Sequence, residues 1–189
     1  GGQEPAQWFS LPGLVGAPTP KTHADLGIKF NPTEAKRLLD EYVKEKNTTI
    51  DKLNITLMVN TSPGNQKIAE TIPQIWRLGW CLEYPDASNF LRDVAGVGGS
   101  ANPAERGVPY GGFNWKNDKY EDLIKKAALE TDPTKRIEMY AQAEKILVND
   151  AAVMIPLYWY SRNVVTQPWI KRTFSFSGRE RYDHWEVVE

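Results

Sequence analysis

Between Trp80 and Asp86 the chain places an indole, a thiol, a phenol and two carboxylates within seven consecutive residues, Trp80-Cys81-Leu82-Glu83-Tyr84-Pro85-Asp86. Paired carboxylates cleave glycosidic bonds when they face each other across the substrate. Glu83 and Asp86 stand three apart on one proline-containing loop, so that use is not expected. A single carboxylate can instead pair with a cation. The Trp80 indole can stack on a ligand or pack beneath the loop. The Tyr84-Pro85-Asp86 sequence suits a turn, in which Asp86 would bond backbone N–H groups. Arg77, just upstream, could meet a carboxylate or form a surface ion pair. Cys81 is the only cysteine, which excludes an intrachain disulfide and a cysteine-rich metal site. His23 and His184 lie far apart in sequence and offer no histidine-based metal site or triad. No metal, cofactor or catalytic residue is therefore expected, and no glycine-rich phosphate loop is present.

The bulk composition narrows the class further. With 41% hydrophobic and 25% charged residues, 189 residues suit one domain or one large lobe. A formal net charge of −1 from 23 basic and 24 acidic side chains gives no footprint for nucleic acid or an anionic membrane. No apolar run is long enough for a membrane span, and the opening Gly1-Gly2-Gln3-Glu4-Pro5 does not read as a secretion signal.

The elements that would carry the loop are readable from local pattern. Residues 1–31 are rich in proline and glycine, show no period, and read as an irregular segment. Asn31 as cap, Pro32 in the first turn and the spacing of Ala35, Leu38, Leu39, Tyr42 and Val43 predict a helix over about 32–46. Alternation over 53–59 predicts a strand, and Ile68, Ile72 and Ile75 predict a short helix over 65–76. Residues 96–112 predict an exposed loop. Tyr120, Leu123, Ile124, Ala127 and Ala128 form the inner face of a helix over 117–130. Ile137, Tyr140, Ala141, Glu144, Leu147 and Val148 form that of a second helix over 133–149. The apolar run 152–160 predicts a buried strand with an irregularity at Pro156. Trp185 and Val187 alternate with polar residues near the end.

The segment Leu78-Gly79-Trp80-Cys81-Leu82-Glu83-Tyr84-Pro85-Asp86-Ala87-Ser88-Asn89-Phe90-Leu91 resembles a signature of the family 5 extracellular solute-binding proteins, the oligopeptide-, dipeptide- and nickel-binding receptors of ABC importers. Asn114 with Tyr120 to Ile124, Asp132 to Arg136 with Tyr140, Ala143 and Glu144, and Ala151 to Tyr158 agree with that family in order and spacing. So do 31–39 and 53–61. The resemblance covers most of the chain.

The resemblance implies a mixed α/β fold, the second lobe of a type II periplasmic-binding-protein clamp of the dipeptide-binding-protein type. Residues 1–31 would be a former hinge, 32–167 the solute-binding lobe, and 168–189 a tail returning toward the hinge. The signal and the first lobe would lie outside this chain. The family also implies about thirty further residues between Trp76 and Arg77, where this chain runs on directly. The implied function is capture of oligopeptides outside the cell membrane, in the periplasm or at the cell surface, for import. The implied partners are the peptide, the first lobe and an ABC permease, and a lone lobe would be prone to self-association. An oligosaccharide receptor and a non-binding fragment are the alternatives. The expected ligand-binding residues are Trp80, Cys81, Glu83, Tyr84 and Asp86. Glu83 occupies the position of an aspartate that holds the peptide ammonium in relatives. Cys81, at a position where some relatives form a disulfide, is expected to be a small buried side chain.

Overall fold

The structure is a computed structural model that describes residues 3–53, 79–105, 112–159, 164–173 and 181–188. The chain divides into two compact units, Gly1–Ile28 with Trp80–Glu189, and Lys29–Gly79.

In the second unit, helix α1 runs over Pro32–Glu45. The Asn31 side chain accepts from the Glu34 N–H at 3.1 Å, satisfying one of the free donors of the first turn. Lys36 pairs with Asp40 at 2.9 Å, and Arg37 with Glu34 and Glu41, on the polar face. Asn47 ends the helix at φ 47°, a left-handed conformation asparagine tolerates, with Thr48 N–H bonded to Val43 O at 2.9 Å. The expected inner face is not buried, and Leu38 is 52% exposed. A single 3-10 turn, Ile50–Lys52, follows. Most of the strand expected at 53–59, all of the helix expected at 65–76, Arg77 and the Trp76–Arg77 junction lie outside the described residues.

The first unit is built on two helices, α3 (Asp118–Leu129) and α4 (Pro133–Glu144), preceded by a one-turn helix α2 (Ser88–Leu91). Asn117 accepts from Tyr120 N–H at 3.0 Å, and Asp132 from Thr134 and Lys135 N–H at 2.9 and 3.2 Å. These local caps fix where α3 and α4 begin. Tyr120, Ile124 and Ala127 are buried as expected, whereas Leu123 is half-buried and Ala128 exposed. α4 runs into a π-helical turn, Lys145–Asp150, that keeps Ile146, Leu147 and Val148 inside. With Leu14, Ala17, Leu82, Phe90 and Leu91 these faces form one core. Each large apolar side chain buried there contributes about 1.5–3 kcal/mol.

Residues 3–28 are poor in regular structure, as their composition predicts, yet they belong to this core. Trp8 is fully buried. Leu14 and Ala17 lie in the core, and a carboxylate holds the segment to α4: Glu144, also fully buried, accepts from Phe9 N–H at 2.9 Å, Ser10 N–H at 2.7 Å and Ser10 Oγ–H at 2.5 Å. Burial pushes its carboxyl up from the ordinary value, against the pull of those donors.

Two expectations are corrected. Residues 152–157 form no strand, and Ile155 and Leu157 are 53% and 44% exposed. Ala152 lies at φ 47°, which turns the chain after the π-helical turn, and Pro156 offers no N–H. Among the described residues of this run, Tyr158–Trp159 (β2) pairs as a strand, antiparallel to β1 (Glu4–Pro5), with Glu4 opposite Trp159. A second two-stranded ladder pairs β3 (Ile170–Lys171) with β4 (Glu186–Val187). The glycine-rich stretch expected as an exposed loop is largely buried where described, including Ala101 and Asn102. The Asn102 amide donates to Ala95 O at 2.8 Å and Trp115 O at 2.7 Å, and its oxygen accepts from Trp115 N–H at 3.0 Å. Gly112 fits there because a Cβ would stand 2.1 Å from Ala101 O. The architecture is mixed α/β, with helices predominating among the described residues.

Candidate functional site

The loop 79–87 runs along the surface into α2, with exposed and buried residues interleaved. Along Cys81-Leu82-Glu83 the residues alternate exposed, buried, exposed. Leu82 takes the core position, and Cys81 therefore faces outward. This corrects the expectation of a small buried thiol, since in a locally extended stretch neighbours point to opposite sides.

Glu83 is exposed, and its backbone N–H donates to Asn89 Oδ1 at 3.2 Å. Trp80 is half-buried against the core, with its indole Nε1–H donating to the same oxygen at 2.9 Å. One buried amide thus meets both residues that sequence reasoning put nearest the ligand. Asn89 Nδ2 in turn lies 3.3 Å from Asp93 Oδ2.

Tyr84 and Asp86 face the other way, into the scaffold. The Tyr84 hydroxyl donates to the Asp93 carboxylate, stands 3.1 Å from Ser88 Oγ, and accepts from Arg92 Nη2 at 3.0 Å. Burial, followed by the Asp93 contact, pushes its phenol up. Burial alone would raise the Asp93 carboxyl, but the donors Arg92 and Tyr84 hold it below the ordinary value. Asp86 accepts from Ser88 N–H at 2.9 Å, the turn contact its position after Pro85 suggests. Its two oxygens also take Arg136 Nη1 at 2.6 Å and Nη2 at 2.9 Å. Burial works against this charge too, and the Arg136 and Ser88 contacts overcome it, leaving the carboxyl below its ordinary value.

Backbone contacts finish the mount. Val15 forms a parallel bridge with Asp86, Val15 N–H donating to Pro85 O at 3.2 Å and Ala87 N–H to Val15 O at 2.9 Å. Gly16, at φ 77°, lets this segment pass Tyr140, whose Cδ2 would lie 2.8 Å from a Cβ. Arg136 also donates from Nε to Ala127 O at 2.9 Å, linking the loop to both long helices.

The arrangement is a hydrogen-bonded mount carrying an outward edge of Cys81 and Glu83 with Trp80 beside it. It has the parts for binding a cation next to an aromatic wall. Asn89, Asp93, Arg136 and Glu144 were not assigned these roles from the sequence. The only sequence signal was polarity on otherwise apolar faces, at Asn89 before Phe90-Leu91 and at Glu144 on the inner stripe of α4. Among the described residues no three His, Cys, Asp or Glu side chains stand together to hold a metal ion.

No family model matches the chain. Curated proteins are similar to it, among them two peptide-binding proteins. The dipeptide-binding protein DppE of Bacillus subtilis is 32% identical over 184 residues, covering 85% of this chain and 33% of that protein. The periplasmic oligopeptide-binding protein OppA of Salmonella typhimurium is 27% identical over 182 residues, covering 80% and 30%. This chain therefore spans about a third of the length of these relatives. In three dimensions it is similar to the substrate-binding domain of an oligopeptide ABC transporter from Bacillus anthracis. The TM-score is 0.67 at 21% identity, over 100% of this chain and 41% of that one, a likeness of fold.

Proposed function

Since this chain is a homologue of the family 5 extracellular solute-binding proteins, matching about a third of such a protein, we propose that it is one lobe of a two-lobed receptor that captures oligopeptides for ABC-transporter-mediated import. The observation that carries the reading is the 32% identity to a dipeptide-binding protein across 85% of the chain. The receptor acts in the periplasm or at the outer face of the cell membrane, holds its ligand without chemical change, and hands it to a membrane permease. Its first lobe closes against this one.

On this reading Glu83 pairs with the peptide's ammonium group, Trp80 walls the pocket, and Cys81 borders it. Tyr84 and Asp86 keep the loop in shape beneath the ligand. Two features support the division of roles: Glu83 is exposed with no ion pair among the described contacts, while the Asp86 carboxylate is already engaged by Arg136. Closure of a clamp excludes water and strengthens a charge-assisted bond to Glu83.

The test is calorimetry on the protein as its gene encodes it, with trialanine and N-acetyl-trialanine against the unaltered protein and Glu83→Gln. Removing one partner of a buried charge pair costs roughly 2–5 kcal/mol. Acetylation should weaken binding strongly in the unaltered protein and little further in the variant. Equal losses in both proteins would remove Glu83 from the role, and binding of cello-oligosaccharides in place of peptides would overturn the ligand class.

A further inference from the structure

Asn89 is fully inaccessible to solvent, on a one-turn helix whose other residues, Ser88, Phe90 and Leu91, are also buried. A buried amide is costly unless its donors and acceptor are used. Its oxygen, with two lone pairs, takes two donors: the Trp80 indole N–H at 2.9 Å and the Glu83 backbone N–H at 3.2 Å. Its amino group lies 3.3 Å from the Asp93 carboxylate, which Arg92 and Tyr84 hold in turn. The two donors come from residues nine and six positions upstream. One atom therefore fixes the direction of an indole ring and the main chain that carries an exposed carboxylate.

We infer that Asn89 is the positioning residue of this loop: it touches no ligand, but sets where the Trp80 ring and the Glu83 carboxylate stand. The consequence for affinity rests on the peptide-binding reading; the geometric claim does not. A hydrophobic residue of similar volume would fill the space and leave the Trp80 indole N–H and the Glu83 N–H without their acceptor. Both would turn toward water, and the pocket would lose the fixed spacing between its wall and its charge. The acceptor, not the volume, is the operative property.

The experiment follows the Trp80 indole ¹⁵N–¹H resonance, assigned with Trp80→Phe, together with trialanine affinity. Asn89→Leu should move that resonance to the position of a water-exposed indole and lower affinity roughly tenfold or more, the worth of a lost buried hydrogen bond. The exchange pair Asn89→Asp with Asp93→Asn keeps an acceptor at 89 and a donor across from it, and should restore both signals. Asp132→Ala, which removes the α4 cap, serves as a comparably destabilised control and should alter neither. An unmoved resonance in Asn89→Leu, or one that shifts equally in Asp132→Ala, overturns the inference. If the unaltered protein binds no trialanine, the peptide reading falls, and Asn89 is judged by the indole resonance alone.

Discussion

Arg136 and Asp86, fifty residues apart, form a two-pronged ion pair at 2.6 and 2.9 Å with side chains only 18% and 17% exposed. The pair joins the return of the loop 79–87 to helix α4, while Arg136 Nε reaches across to α3. A planar guanidinium matches a carboxylate with two parallel bonds, which lysine does not reproduce. The loop is thereby attached to the most regular part of the molecule.

Arg136→Met should cost about 2–4 kcal/mol, because it leaves the Asp86 carboxylate half-buried without its cation. Arg136→Lys should recover only part of the loss. Urea denaturation of the three proteins measures this, and equal stability for Lys and Arg would show that the fork geometry is unimportant.

The pH dependence follows in sign. The folded Asp86 and Asp93 carboxyls lie below their ordinary value of 3.8. Their contribution is complete above that value and is lost as pH falls through the folded one. Asp86→Asn should therefore destabilise at neutral pH and differ less from the unaltered protein at about pH 3. Glu144 acts oppositely: burial raises its carboxyl, so its contribution is complete below the ordinary value of 4.5 and fades as pH rises through the folded one. Denaturation curves at both pH values check the two signs.

Glu144→Gln turns an amide donor toward one of the N–H groups of Phe9 or Ser10, and should cost about 1–3 kcal/mol. Ser10→Ala removes one donor and should cost less. Proteolysis read out by mass should show the segment 3–28 cut earlier in Glu144→Gln, since that carboxylate bonds it to α4.

Cys81 is exposed and should react with a maleimide under native conditions without denaturant. A peptide seated at Glu83 should slow the reaction. Labelling at an unchanged rate with saturating peptide would separate Cys81 from the ligand's footprint.

The chain alone presents Ile155, Val165, Trp169 and Val187 at 53%, 96%, 53% and 74% exposure. Exposed apolar side chains favour self-association where they gather into one patch. Sedimentation should show dimers or larger species at high micromolar concentration, and a monomer there counts against the expectation.

The starts of α1, α3 and α4 are legible in the sequence because a cap is a local event: Asn31, Asn117 and Asp132 bond N–H groups two or three residues on. The signature loop is legible for the same reason, as residue types in a fixed order. The run 152–157 is not, because apolar composition does not say whether a strand partner exists; the chain turns at Ala152, Pro156 offers no N–H, and pairing begins where Ala6 N–H meets Leu157 O. Nor is Cys81, whose outward direction follows from Leu82 taking the core. The described part of the glycine-rich stretch is held by Asn102, whose contacts need the path of Trp115. Glu144 reads as one polar residue on an apolar stripe until Phe9 and Ser10 arrive from the far end of the chain. Asp86 shows its turn contact in the sequence, but not its pairing with Arg136 from fifty residues away. Sequence determined what depends on neighbours within a helical turn. Tertiary structure decided which polar groups are left to meet a ligand, because that depends on which partners, distant in sequence, have already satisfied them.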